Sequence, residues 1–384
     1  MWHNIEEKII AVKGFCLSSK YGDGKIYGQQ FDVKTLGFIE IISESGKKGF
    51  GESYAAIYTP ELLPPIVNFF ERQLVGKKIG RKNLVQEVSE IPFVGRNGLL
   101  KSISGAIEIA LWDLRGKLLN KPTYQLFPSK RKITQCYASG GSVIMNNKEI
   151  VQDVEKSIKE GFNAYKMRIG YQTWKKDLER VKSAKLNLKK GDLMVDAIMG
   201  TLKNPWSLNE AIKKIKSLSK YSPRWIEEPL HPNNIHELSL LRKKSSIPIA
   251  AGEAYTGLLE YETILRNKSV NILQFDCTHS GGIEICQKLS KKCKENNIEC
   301  AIHVWGSAIA LAANAHLSYS LDSIIYLEIP RIKLEISDYL WSSPPSISNG
   351  CIKLSDAPGL GINITDEVKN KFPYIKGSGF KIKK

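Results

Sequence analysis

The chain has 384 residues, 42% of them hydrophobic and 25% charged, with a formal net charge of +17. That length supports a large core and exceeds one average domain, and no run approaches the roughly 18 apolar residues of a membrane helix. The lysines are spread over helix faces without a basic block interleaved with aromatics, so the charge favours a solvated surface over a nucleic-acid groove, and its field would draw in a small anionic substrate.

In chain order, residues 5–16 and 35–43 read as strands, residues 34–42 most clearly. Between them, residues 21–31 are rich in glycine and aromatics and read as a loop able to cover a site. Residues 43–49 supply a turn before Phe50-Gly51-Glu52-Ser53. Residues 106–117 place apolar side chains at helical spacing, and Asn120-Lys121-Pro122 stops the helix. This part, residues 1–130, reads as an α+β domain.

After about residue 132, strand-like runs alternate with amphipathic helices. The runs are 133–139, 164–168, 193–196, 225–227, 247–253, 272–276, 299–303 and 324–328. The helices are 148–161, 176–188, 209–220, 235–244, 283–297 and 307–319. Strand intervals of roughly 20–30 residues fit a (β/α)-barrel over residues 131–339. The expected class is therefore α/β, a modified TIM barrel with an N-terminal α+β capping domain. Residues 340–384 are expected to pack back on that first domain. Seven cysteines, an odd number with no C-x-x-C pair, read as reduced thiols. The N-terminus carries acid early and lacks a signal-like apolar core, so a cytoplasmic setting is expected.

Ionisable residues close the predicted strands. Trp225-Ile226-Glu227-Glu228-Pro229 is the sharpest example, because proline cannot extend a central strand and so leaves Glu227 and Glu228 at its C-terminal lip. Alternation sends these two carboxylates to opposite sides, one towards a metal and one towards structure. Lys166 and Arg168, Asp196, Glu253, Asp276, His303 and Glu328 end the other strands. In a barrel they converge on one mouth. Asp196, Glu227 and Glu253 are three hard carboxylates that suit Mg²⁺. Lys166 and Arg168, two apart, share a side of their strand and flank an anion. Asp276 behind His303 fits a general base. His279 reads as a structural hydrogen-bonder, His316 as core, and His231 and His236 as surface.

These pieces resemble the mandelate racemase branch of the enolase superfamily. The resemblance rests on Lys166-Met167-Arg168, Val195-Asp196, Ile226-Glu227-Glu228-Pro229, Ala251-Gly252-Glu253, Asp276 with Gly281-Gly282, His303-Val304-Trp305-Gly306-Ser307 and Leu327-Glu328. It extends to Ala110-Leu111-Trp112-Asp113-Leu114 at the end of the capping domain. It implies that Mg²⁺, held by Asp196, Glu227 and Glu253, binds a substrate carboxylate contacted by Lys166. It implies that His303, oriented by Asp276, removes the α-proton to give an enediolate, and that Glu328, in its acid form, hydrogen-bonds the developing charge. It also implies a substrate-covering loop at residues 22–28 with residues 54–59 as its partner, placing Tyr27, Tyr54 and Tyr58 near sugar hydroxyls, and a homo-oligomer.

Two departures refine the expected reaction. Arg168 stands where many relatives carry a second basic lysine, and arginine is a poor proton acceptor. Ile198 stands where the family often has Asn or His. A one-base dehydration of an aldonic or aldaric sugar acid, possible for an arabinonate-type substrate, therefore fits better than a two-base reaction. The alternative is a racemase or epimerase of a 2-hydroxy acid or amino-acid derivative.

Overall fold

The computed structural model describes residues 2–22, 32–128, 131–321 and 323–381. Among these, β1 (Ile9–Lys20), β2 (Val33–Ser43) and β3 (Lys48–Ser53) form an antiparallel sheet. Then come β4 (Thr134–Ser139), β5 (Ala164–Arg168), β6 (Asp192–Asp196), β7 (Trp225–Glu227), β8 (Ile249–Ala251), β9 (Ile272–Phe275), β10 (Glu299–Ile302) and β11 (Ile324–Pro330). Each of these eight pairs in parallel with the next, and β11 pairs back on β4, so the ring closes. The fold is the expected closed barrel with an N-terminal sheet domain.

The first strand begins at Ile9 rather than residue 5, and residues 48–53, expected only to follow a turn, form a third strand. That strand lies against the long helix Gly98–Leu118. A side chain at Gly51 would stand 2.1 Å from the Ala106 carbonyl oxygen, so glycine is what permits this approach. Asp113 on the helix accepts from Phe50 N (2.8 Å) and Leu360 N (2.7 Å), tying sheet, helix and C-terminal segment together.

Seven helices of ten residues or more connect the barrel strands within the described residues: Asn147–Lys159, Trp174–Leu188, Leu208–Leu218, Ile235–Lys244, Gly257–Arg266, Ile283–Glu295 and Ala308–Ser318. Asn146 and Ser207 start two of them with reciprocal caps to Glu149 and Glu210. The Gly257–Arg266 helix is absent from the sequence reading. It opens on a left-handed glycine and contains a β-branched threonine, so its local signal is poor, yet it buries Tyr261, Ile264 and Leu265.

The C-terminal segment divides. The hairpin β12 (Ser346–Ser348) and β13 (Cys351–Lys353) pairs antiparallel with β4 of the barrel. Farther on, Ser378 Oγ meets Thr35 Oγ1 (2.5 Å) and Ser18 Oγ (3.3 Å) of the first sheet. No helix of the described residues is long and apolar enough to cross a membrane.

The barrel interior follows the two-residue period of its strands. Tyr137, Ala164, Met194, Trp225, Ile272 and Ala301 pack together as an apolar plug. Two residues further along, the same side of these strands presents Ser139, Lys166, Asp196, Glu227, Gln274 and His303. The site is thus carried on a packed floor.

Candidate active site

Lys166 is the hub of the polar layer. It is fully buried, and its ammonium lies 2.6 Å from Glu227 Oε1, 3.0 Å from Glu328 Oε1 and 3.9 Å from Asp196 Oδ2. Burial works against its charge, but Glu227 and Glu328 hold its pKa well above the ordinary lysine value. Arg168, on the same side, donates to Gly140 O (2.9 Å) and Ser139 Oγ (3.0 Å). Its guanidinium reaches to 3.7 Å from Asp196 and 3.8 Å from Glu328. Burial opposes its charge as well, yet these acids raise its pKa further. It is a fixed cation.

The carboxylates outnumber the cations. Burial, then Glu227, pushes Asp196 up to about 8. Burial also raises Glu253, and burial with Glu253, Asp196 and Glu227 raises Glu228. This surplus negative charge is the signature of a cation-binding cluster, and the donors are hard oxygens. As arranged, no group of three or more His, Cys, Asp or Glu among the described residues stands in position to hold a metal ion. The reason lies in the side-chain partners. Glu227 Oε1 is bound by Lys166, while its Oε2 accepts from Gln274 Nε2 (2.8 Å) and Trp225 Nε1 (3.2 Å). Glu253 Oε2 lies 3.2 Å from His303 Nε2. The donor set fits a divalent cation in chemistry, and these side chains would have to turn to surround one.

The backbone beside these acids is strained. Glu228 has φ +42° and Ile198 φ +49°, a region side-chain-bearing residues rarely occupy. The turn at Glu228 ends the strand alternation. Glu228 therefore stays near the acidic cluster instead of facing away from it, which corrects the expected division of labour in that pair. Ile198 N donates to Asp196 Oδ1 (2.9 Å), fixing that carboxylate. Glu253 lies just past β8 and follows Gly252, where a side chain would collide with the Gln274 carbonyl oxygen at 1.9 Å.

His303 and Asp276 form the expected pair. Asp276 Oδ1 accepts from Thr278 N (2.9 Å), Thr278 Oγ1 (2.7 Å) and Asn314 Nδ2 (2.7 Å), while Oδ2 faces His303 Nδ1 at 3.1 Å. Burial alone would raise the Asp276 pKa, but the bonds from His303, Asn314 and Thr278 lower it overall. An ionised Asp276 only accepts, so Nδ1 carries the proton and Nε2 turns to the cluster. Burial lowers and Glu253, Glu328 and Asp276 raise the His303 pKa, to about 9.

Glu328 contradicts its expected acid form. Burial favours protonation, but Lys166, His303 and Arg168 drive its pKa down to about 2, and Val304 N donates to its Oε2 (3.0 Å). It is a carboxylate. His279 and His316 are structural, as expected. His279 Nδ1 pairs with Ser102 Oγ (3.0 Å), and His316 Nδ1 accepts from Tyr124 N (3.0 Å). His236 is exposed and His231 half-buried.

A cavity of about 70 Å³ opens above the layer, lined by Arg168, Asp196, Ile198, Glu253 and His303, with aromatic walls. Tyr54 and Tyr58 belong to those walls. The Tyr54 ring lies 5.7 Å from His303, edge-on, and 5.8 Å from Tyr58. Tyr27 lies outside the described residues. A larger cavity of about 640 Å³ lies between Ser89–Arg96 and Glu284–Lys288, away from this chemistry.

Residues to which the sequence reading gave no site role form or support the walls. Trp305 follows His303 by two, and its Nε1 donates to Tyr21 Oη (3.0 Å). Lys34 Nζ donates to Trp305 O (3.0 Å) and lies 3.7 Å from the centre of its ring; burial lowers its pKa to about 7. Glu52, from β3, accepts from Ser307 N (2.9 Å), Ser307 Oγ (2.5 Å) and Ala310 N (3.1 Å). It thereby holds the helix start that follows the His303 loop. Phe380, from the chain end, lies 4.9 Å from Trp305. Alternating strand patterns carry no signal for such long-range partners.

The family described as Enolase C-terminal domain-like matches residues 149–368, more than half of the chain. The chain belongs to the enolase superfamily. Relatives within this superfamily include an arabinonate dehydratase of Saccharolobus solfataricus, 27% identical over 87% of this chain and 89% of that one. A D-gluconate/D-galactonate dehydratase of Picrophilus torridus is 28% identical over 88% and 89%. Among solved structures, the 3,6-anhydro-D-galactonate cycloisomerase of Zobellia galactanivorans superposes with a TM-score of 0.83 at 26% identity, covering 96% of this chain and all of that one. A Streptomyces coelicolor racemase with bound magnesium shares the fold, with a TM-score of 0.79 at 22% identity over 95% and 99%.

Proposed function

We propose that this superfamily member is a magnesium-dependent dehydratase of an aldonic or aldaric sugar acid, a hydro-lyase giving a 2-keto-3-deoxy acid. The observation that carries the reading is the His303–Asp276 dyad, with Nε2 turned into a carboxylate-rich cavity whose basic residue opposite, among the described residues, is Arg168, a fixed cation. Asp196, Glu227 and Glu253 would hold the ion. When bound, it supplies positive charge against the substrate carboxylate and acidifies the neighbouring C–H.

The chain's own side chains do the rest. Lys166 and Arg168 are permanent cations that bind and orient the carboxylate. Against burial, Glu253 contributes most to raising the His303 pKa, so once that carboxylate turns away from Nε2 the neutral ring can accept the α-proton there, and Asp276 stabilises the resulting imidazolium through Nδ1–H. The β-hydroxyl then leaves as water, taking the proton that the His303 imidazolium holds, and the enol left behind tautomerises to the 2-keto acid. Arg168 cannot return a proton to the opposite face, which disfavours a racemase or epimerase. Ionised Glu328 acts by holding Lys166 and the His303 loop in place.

The similarity to arabinonate and gluconate/galactonate dehydratases supports an aldonate substrate, arabinonate-type first. A homo-oligomer and a cytoplasmic setting belong to the same proposal. The test is a sugar-acid library incubated with magnesium and read by semicarbazide detection of 2-keto products. The expected product has lost one water. Uptake of deuterium at the α-carbon with no keto acid and no mass loss would overturn the dehydratase in favour of an epimerase.

A further inference from the structure

The chain end is part of the candidate site. Phe380 lines the same cavity as Asp196, Glu253 and His303. It is buried, only 8% exposed. Its ring meets Trp305 edge to face at 4.9 Å and Tyr58 edge to face at 5.9 Å. Those two rings are themselves 5.8 Å apart, so the three form one wall above His303.

The tail carrying Phe380 is fastened. Phe380 N donates to Ile57 O (2.7 Å), in the turn that carries Tyr54. Gly379 packs so closely that a side chain there would meet the Tyr58 carbonyl oxygen at 2.9 Å. Ser378 bonds Thr35, and Ile375 N donates to Ser18 Oγ (3.0 Å). Tyr374 and Gly377 both donate to Glu61. Six ties over seven residues fix the ring in register with the first sheet. A solvent-facing tail needs no such anchoring.

We propose that Phe380 is a specificity-determining wall residue, by which the docked tail limits how much of a sugar acid's remote end the site accepts. This rests on the sugar-acid reading for its substrate class. The ring presents no hydrogen-bonding group, so it acts through shape and by excluding water from the side facing Trp305.

The test uses the full chain with Phe380→Ala and Phe380→Leu, each compared with the parent in two measurements. The first is acrylamide quenching of Trp305 emission, isolated by subtracting the matching Trp305→Phe variant. Phe380→Ala should raise the quenching constant at least about twofold and Phe380→Leu less; an unchanged constant overturns the wall. The second is kcat/KM on five- and six-carbon aldonates. Phe380→Ala should shift the six-to-five ratio about tenfold towards the longer acid, chiefly through KM; a ratio within twofold of the parent overturns the specificity role. Turnover of neither acid by the parent would overturn the aldonate substrate and the specificity role argued from it, while the quenching constant would still decide whether Phe380 covers Trp305.

Discussion

Two layers of the barrel interior, two residues apart on the same strands, have opposite chemistry. The lower layer, with Tyr137, Ala164, Met194, Trp225, Ile272 and Ala301, is apolar and closed. The upper layer, with Lys166, Asp196, Glu227, Gln274 and His303, is equally buried and almost wholly ionisable or polar. One buries apolar surface and stabilises the fold. The other opposes it, because each buried charge needs a partner and the carboxylates exceed the cations. The strained turns at Ile198 and Glu228 occur beside the upper layer. Stability and chemistry are thus separated by one strand repeat.

Substitution should break the comparison cleanly. Asp276→Asn would present an amide N–H to His303 Nδ1, moving the ring proton to Nε2 and removing the base. Turnover should fall by about 10²–10⁴-fold, with the urea midpoint close to the parent's. In the lower layer, Met194→Ala should cost about 2–5 kcal/mol of stability while leaving the KM of the remaining folded enzyme within about twofold. Equal losses of activity and stability in both variants would mean that the layers are not separable.

A smaller effect sharpens the contrast with a buried imidazole outside both layers. Burial pushes His316 down to about 3, from an ordinary 6.5. The unfolded chain takes up a proton there that the folded chain refuses, so this stability is complete above about pH 6.5 and is lost as pH falls towards 3. Between pH 7.5 and 5.5 the parent should lose stability on the order of 1 kcal/mol from this group. His316→Asn, whose Oδ1 can accept from Tyr124 N in place of Nδ1, should not show that slope in urea unfolding.

The barrel was legible because its signals are local. Each strand is a short apolar run stopped by a proline, a glycine or an ionisable residue, and the period of two then places Lys166, Asp196, Glu227 and His303 on one side. The Gly257–Arg266 helix escaped because a glycine start and mixed propensities hide its buried face. The ionised state of Glu328 escaped because it is set by Lys166 and Arg168, about 160 residues away in the chain. Glu228 escaped because a left-handed residue ends the alternation without any change in sequence pattern. Lys34, Glu52 and Phe380 come from segments whose own periodicity reports only the first sheet and the tail. Their relation to His303 exists only after the two domains meet.

The central claim is that His303 removes a proton next to a carboxylate bound beside Asp196, Glu227 and Glu253. The most direct measurement compares the parent with His303→Asn, recording magnesium binding by calorimetry and 2-keto acid formation from the best sugar acid. The account predicts that His303→Asn binds magnesium within a few-fold of the parent and forms no detectable keto acid. Unchanged keto-acid formation by His303→Asn would contradict it.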